Sequence, residues 1–263
     1  MSLYCPSYMK MICERIIPEE LQIWEVQQVN HNQNRDIPFW QALATQTGGT
    51  ILELGCGTGR ITLPLADAGH RIIGLDNNNA ALQLLKESGE EVPLLIPVCA
   101  DMSSFQLQEK VRLCIAGYSA FQHLLTLEEQ EACLRTVHKH LEPDGILALD
   151  INPAVLEGAD SPEHQRMYEL IHIGLDATVT LDSSWESDFL MNVRSWDDVY
   201  RISERDSAEY EFRQTIQLKA CSLDYLRLLL PGCGFEIIRV VADFENETLT
   251  PNLSNLIVIS RKT

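Results

Sequence analysis

A chain of 263 residues, 45% of them hydrophobic, is long enough for one α/β domain with an elaboration and for a sizeable buried core. Its formal net charge of -18 argues against a nucleic-acid partner, since phosphate backbones require a basic face. No apolar run reaches membrane-spanning length, no charged-then-apolar signal pattern opens the chain, and its eight cysteines contain no CxxC pair; the expectation is a cytoplasmic protein with reduced cysteines, no metal and no membrane partner.

Residues 1–49 read as a helical leader. Pro18-Glu19-Glu20 starts a helix through Leu21, Trp24, Val26 and Gln28. Asp36-Ile37-Pro38 reads as an N-cap followed by a first-turn proline, so a second helix carries Phe39, Trp40, Leu43 and Ala44 up to Gly48-Gly49.

The stretch from Thr50 to Asp76 organises the rest. Ile51, Leu52 and Leu54 suit a strand buried on both faces of a parallel sheet, and the chain then breaks into Gly55-Cys56-Gly57-Thr58-Gly59. Three glycines at alternate positions permit a sharp turn and bring bare backbone against a ligand. Ile61, Leu63, Leu65 and Ala66 give a helix an apolar face as far as Gly69, and a second strand from Arg71 to Leu75 ends on Asp76. Strand, glycine turn, helix, strand and terminal acid describe a nucleoside site at the carboxyl edge of a parallel sheet, the acid accepting from two ribose hydroxyls. A dinucleotide fingerprint would need a third glycine where Arg60 stands, and a P-loop would need Gly-Lys-Ser/Thr; neither is present. Glu53, at the end of the first strand, is badly placed for a pyrophosphate and well placed for an ammonium group.

Further along, Asn77 to Ser88 reads as a helix and Leu94 to Val98 as a third buried strand. Asp101 and Met102 follow it, a carboxylate and an apolar side chain suited to the amine and the face of an adenine ring, or else an N-cap for the turn through Ser103. Val111 to Ala116 is a fourth strand, ending in Gly117-Tyr118-Ser119-Ala120-Phe121-Gln122-His123-Leu124. Thr126 and Glu129 form a capping box for a helix to His140, and Pro143-Asp144-Gly145 turns into a fifth strand, Ile146 to Ile151. A helix-like piece around Pro162 to Leu170 is followed by alternating stretches at Ala177–Leu181, Phe189–Val193 and Asp198–Ile202, which read as antiparallel hairpins. Residues 151–212 hold 14 Asp or Glu against 4 Arg and no Lys, a solvated acidic face or one suited to a cationic substrate. Thr215 to Leu218 is extended, Ser222 caps a helix through Leu230, and strands follow at Phe235–Val241 and Asn255–Ser260.

The sequence ELGCGTG with its strand ending in Asp76 resembles the first motif and its successor in class I S-adenosylmethionine (SAM)-dependent methyltransferases, and FQHL resembles their small-molecule branch. The resemblance covers about residues 36 to 263. It implies an α/β fold with a seven-stranded, mostly parallel doubly wound sheet, an N-terminal helical cap (1–49), a SAM-binding core (50–152), an inserted antiparallel lid (153–214) and a returning core (215–263). It implies that Gly55, Cys56, Gly57, Thr58 and Gly59 approach the methionine half of SAM, with Glu53 reaching its amino group. Asp76 and Asn77 take the ribose, Asp101 and Met102 the adenine, and Tyr118 and Ser119 the sulfonium side. Phe39, Trp40 and His123 are candidates for the substrate pocket. His123, and less directly Tyr118, are candidate catalytic residues, since a neutral imidazole can take a proton from an attacking amine or hydroxyl.

The implied activity is methyl transfer from SAM to N, O or C of a small molecule, leaving S-adenosylhomocysteine (SAH), by a monomer or homodimer. Two alternatives stay open at this point: a protein or peptide methyltransferase, and a catalytically silent SAM-binding protein.

Overall fold

The computed structural model describes residues 33–89, 92–172, 177–204, 209–244 and 255–263. The expected helix at Pro18 lies outside them. The described residues fall into two compact units, one comprising Asn34–Leu156, Met191–Val193 and Leu218–Thr263, the other Glu157–Leu190 and Arg194–Gln217.

The first unit is built on a seven-stranded sheet. Its strands are β1 (Ile51–Leu54), β2 (Ile72–Asp76), β3 (Leu95–Cys99), β4 (Val111–Ala116), β5 (Leu141–Ile151), β10 (Phe235–Ala242) and β11 (Leu256–Lys262), in the order β10-β11-β5-β4-β1-β2-β3. β1 pairs in parallel with β2 and β4, and β5 with β4, whereas β11 runs antiparallel to both β5 and β10. All the residues of β1 and β2 are buried. Alternation sends Leu52 and Leu54 into one core with Leu75, Phe121, Leu134 and Leu226, and Ile51 into a second with Trp40, Leu65, Ile72 and Ile259. The expected third strand is only half-buried because β3 is the sheet edge.

Helices α1 (Ile37–Thr47), α2 (Thr62–Asp67), α3 (Asn79–Ser88), α4 (Leu127–His140) and α5 (Leu223–Gly232) complete this unit. Their starts follow local chemistry. Asn78 accepts from the amides of Ala80 and Ala81, and Ser222 from that of Tyr225. Thr126 and Glu129 form the full capping box. One expected cap fails: Asp36 stands before α1 with no side-chain cap bond, because its carboxylate is taken by Arg60 and by Trp40 Nε1 within α1.

The second unit holds a four-stranded sheet, β6 (Ser161–His172), β7 (Ala177–Asp188), β8 (Val193–Glu204) and β9 (Tyr210–Lys219), in sequential order. Two expectations are corrected here. The piece around Pro162 to Leu170 is not helical: it is β6, antiparallel to β7 with two register irregularities. Its Glu, Gln, Arg, Met and Leu favour helix intrinsically, and cross-strand pairing overrides that preference. The segment Phe189–Val193 is mostly the β7–β8 turn, with Phe189, Leu190 and Met191 exposed.

Candidate functional site

The glycine turn begins where β1 stops. Gly55, Gly57 and Gly59 all have positive φ, at 67°, 53° and 103°, which a side chain would oppose. Space forbids one as well: a Cβ on Gly55 would lie 2.9 Å from the Ala120 methyl, and one on Gly59 2.4 Å from Leu85 Cδ1. The turn is tied to β2 through Asp76, whose Oδ2 accepts from the Gly57 amide at 2.8 Å while Oδ1 accepts from the Asn78 amide at 2.8 Å. A buried acid at the end of β2 thus faces the bare backbone after β1. Cys56 and Thr58 are buried, Cys56 packing with Leu82 and Leu85 on α3. Asn77 is exposed beside Asp76.

Glu53 is enclosed. Its carboxyl bonds the Thr62 hydroxyl at the start of α2, and burial pushes its pKa up to about 8, with Thr62 and Arg60 opposing. It therefore holds a proton at neutral pH unless a cation approaches. Asp101 sits at the exposed end of β3, where its Oδ1 accepts from the amide of Ser103 at 2.7 Å and from its hydroxyl at 2.6 Å. Those bonds hold its carboxyl below the usual range. Met102 is half-buried, its methyl within 3.8 Å of where a Gly55 Cβ would stand, so the β3 end and the glycine turn meet.

The segment after β4 lies against the same turn. Gly117 is pressed on Ile61, and Tyr118 and Ser119 both adopt left-handed φ, 49° and 60°, uncommon for residues with a Cβ and costly enough to need external support. That support is visible in the fold. The Tyr118 amide donates to Asp150 Oδ2 at 2.8 Å, and Asp150 Oδ1 accepts from Asn255 Nδ2 at 2.9 Å. Burial raises Asp150 to about 6, with those two donors opposing. The Tyr118 ring is 55% exposed and lies 5.5 Å from the Arg60 guanidinium.

A short 3-10 turn, Ala120–His123, presents His123 at the surface, whereas its neighbour Gln122 is buried and holds the backbone of Asn152 and Lys219. The imidazole reaches solvent yet is walled by enough protein that lost solvation lowers its pKa, with nearby Asp76 opposing. It is neutral at physiological pH.

Of the expected pocket residues, Phe39 is half-buried, but Trp40 is fully buried, stacked edge-on with Phe39 and Phe244 and donating from Nε1 to Asp36 at 2.8 Å. Trp40 belongs to the core; a wholly buried ring has no surface to offer a ligand. Four residues of this region carry no site assignment from sequence: Asp36, read only as a helix cap, Arg60, Asp150 and Asn255. Asp150 had a legible signal, an acid at the end of a buried strand like Asp76. Arg60 drew notice only as a missing glycine.

The residues fit an adenosyl cofactor. Bare backbone at positive φ follows β1, and acids stand at the ends of β1 and β2 and two residues beyond β3, an arrangement suited to a nucleoside. Among the described residues no group of His, Cys, Asp and Glu could hold a metal, the six described cysteines are free, with Cys99 exposed, and no helix is long and apolar enough to cross a membrane.

Residues 51–145 match the family described as a methyltransferase domain. The chain is 25% identical to the cypemycin N-terminal methyltransferase of a Streptomyces species, covering 81% of this chain and 82% of that one. Its fold is shared with the CcbJ methyltransferase of Streptomyces caelestis, at 23% identity and TM-score 0.73 over 87% of this chain and 90% of that one. It is shared also with CalS10 of Micromonospora echinaspora, an amino pentose methyltransferase solved with SAM bound, at 18% identity and TM-score 0.71 over 95% and 99% of the two chains.

Proposed function

We propose that this chain, a class I SAM-dependent methyltransferase, methylates an amine nitrogen of a small molecule. Surface-facing His123, in the segment that follows β4 and lies against the glycine turn, supports a transfer assisted by a base, and the choice of an amine over a hydroxyl rests on relatives named for an N-terminus and an amino pentose. SAM supplies a methyl carbon activated by a sulfonium leaving group. The rest falls to the protein. Asp76 would accept the ribose hydroxyls with the lone pairs its backbone partners leave open, Asn77 lying beside it. Asp101 would accept from the adenine amine through Oδ2, with Met102 against the ring. The backbone of residues 55–59 would approach the methionine half, and Glu53 would meet its ammonium, giving up a proton as the cation arrives. Tyr118 and Ser119 would flank the sulfonium side, and Phe39 the acceptor.

An amine attacks only through its lone pair, so it must bind neutral or lose a proton on the way. His123, neutral above its lowered pKa, can receive that proton. Orientation and exclusion of water then account for most of the acceleration. The related proteins named above are consistent with such an acceptor: one is named for a peptide N-terminus and one for an amino pentose. The first of these also favours a second reading, a peptide amine as acceptor.

The test has two stages. Calorimetry with SAM, SAH and NADH should show the two adenosyl ligands binding and NADH failing to bind. Transfer of labelled methyl from SAM to panels of amino sugars, short peptides and hydroxyl-only analogues should then label amines alone. Labelling confined to the hydroxyl panel would overturn the amine assignment. His123→Ala should slow transfer with little change in SAM affinity, and the acid limb of the parent rate profile should lie below the ordinary imidazole value of 6.5; loss of SAM affinity instead would make His123 a cofactor-positioning group.

A further inference from the structure

Arg60 occupies the position where a dinucleotide fingerprint would have its third glycine, and the structure gives it a task. Its guanidinium forms a two-pronged pair with Asp36, Nη1 to Oδ1 at 2.7 Å and Nη2 to Oδ2 at 2.9 Å, both side chains almost wholly shielded from water. Asp36 stands at the start of α1 and also accepts from Trp40 Nε1. One side chain thus ties the leader helix to the residue directly after the glycine turn. The same guanidinium lies 5.5 Å from the Tyr118 ring centroid, within the range in which a cation is drawn to an aromatic face.

Tyr118 needs such support. Its ring is largely exposed and its backbone is held in a left-handed conformation by the Asp150 carboxylate. Asp150 fixes where the ring is rooted, and Arg60 supplies a surface against which it lies. The charge of Arg60 is matched by Asp36 in a two-pronged pair, so it can bear on the ring without imposing a net positive charge on a cation nearby.

We infer that Arg60 is a positioning residue: clamped by Asp36, it sets the Tyr118 ring at the methyl-transfer side of the cofactor site and thereby strengthens the preference for the charged cofactor over its neutral product. This rests on the assignment of Tyr118 to the sulfonium side made above. SAM and SAH share adenine, ribose and amino-acid parts and differ by the methyl group and its positive charge. An aromatic face held against that position favours the sulfonium, and a ring free to swing away discriminates less.

The experiment needs no acceptor. Dissociation constants of SAM and SAH are measured by calorimetry for the parent protein and for Arg60→Met, Arg60→Lys, Asp36→Asn and Tyr118→Leu. Arg60→Met should reduce the preference for SAM about two- to fivefold, mainly by weakening SAM, with SAH affinity nearly unchanged. Arg60→Lys keeps the charge and loses the planar fork, so it should recover part of the preference. Tyr118→Leu should lose as much as Arg60→Met, and the double variant no more than either alone. A parent protein that binds neither ligand defeats the cofactor assignment itself. A parent that binds both, with an unchanged SAM-to-SAH ratio in folded Arg60→Met, overturns the role of Arg60. Equal loss of both ligands overturns it too, since that is what a merely structural residue would give. If Arg60→Met does not fold, Asp36→Asn and the exposed-site variant Tyr118→Leu decide: a ratio unchanged in both refutes the inference.

Discussion

Both sheets bury apolar side chains, Val179, Val199, Tyr200 and Ile202 in the four-stranded one, but they differ in how much charge pairing joins their strands. In the seven-stranded sheet, neighbouring strands β1, β2 and β4 are buried nearly throughout, and their side chains form apolar cores on both faces. In the four-stranded sheet, polar pairings recur: Asp182 pairs with Arg166 and Arg201, Arg201 with Glu211 at 3.1 Å, and buried Asp198 accepts from the Ser183 hydroxyl at 2.6 Å. Buried Arg194 donates to the carbonyls of Glu157 and Gly158. Apolar burial is not screened by salt and depends on area and volume, whereas charge pairs at a surface are screened and individually weak. The strands of the first sheet are joined through buried apolar faces; the second adds charge pairs that its surroundings can tune.

Four experiments would break or sharpen this contrast. The largest effect is expected in the apolar core. Phe121→Ala, at the fully buried ring that anchors the Tyr118–His123 segment in the core, should cost about 3–5 kcal/mol in urea unfolding, and a cost below about 1 kcal/mol would show that the core collapses to fill the space.

The second concerns the carboxyl buried between β1 and α2. Glu53 binds its proton more tightly folded, with a pKa of about 8, than its ordinary 4.5. Its contribution to stability is therefore complete below 4.5 and lost as pH rises through 8. Glu53→Gln cannot ionise, so thermal unfolding between about pH 6 and about pH 9 should decline less with pH than in the parent. Parallel profiles would mean that Glu53 is already ionised in the fold. Calorimetry in buffers of different ionisation enthalpy should also reveal a proton released on SAM binding near neutral pH, and that release should vanish in the variant.

Third, Asp76→Ala should weaken SAM by about 1–3 kcal/mol through loss of a buried charged acceptor; unaltered affinity would remove Asp76 from the ribose. The smallest effect belongs to the other sheet. Arg201→Ala should destabilise β7–β9 by about 0.2–1 kcal/mol at low salt, read by amide hydrogen exchange. The difference should shrink in about 1 M salt, where the screening length falls to about 3 Å. The cost of Phe121→Ala should not shrink, and a cost that did would erase the distinction between the sheets.

How much of this was legible depends on the range of the cause. Asn78, Thr126 and Ser222 act on amides two or three residues away, so their helix starts follow from neighbours in sequence. The glycines at 55, 57 and 59 announce a turn because side chains are excluded there by backbone conformation. Asp36 failed as a cap because Arg60 and Trp40 outbid the local amides for its oxygens. Trp40, on an aromatic pair suited to core or ligand alike, was assigned to the core by Phe244, some two hundred residues away in the chain. β6 read as helix because its residues favour one locally, and only β7 made it a strand.

The sequence by itself thus determined the strand–glycine turn–strand unit, the acids at the strand ends and the resemblance to methyltransferases, since each depends on spacing along a few residues and on the steric freedom of glycine. Only the tertiary structure decided the protonation of Glu53, the clamp of Asp36 on Arg60, the left-handed seat of Tyr118 on Asp150 and the sheet identity of β6. Those depend on burial and on partners distant in the chain, and neither can be read before the chain closes on itself.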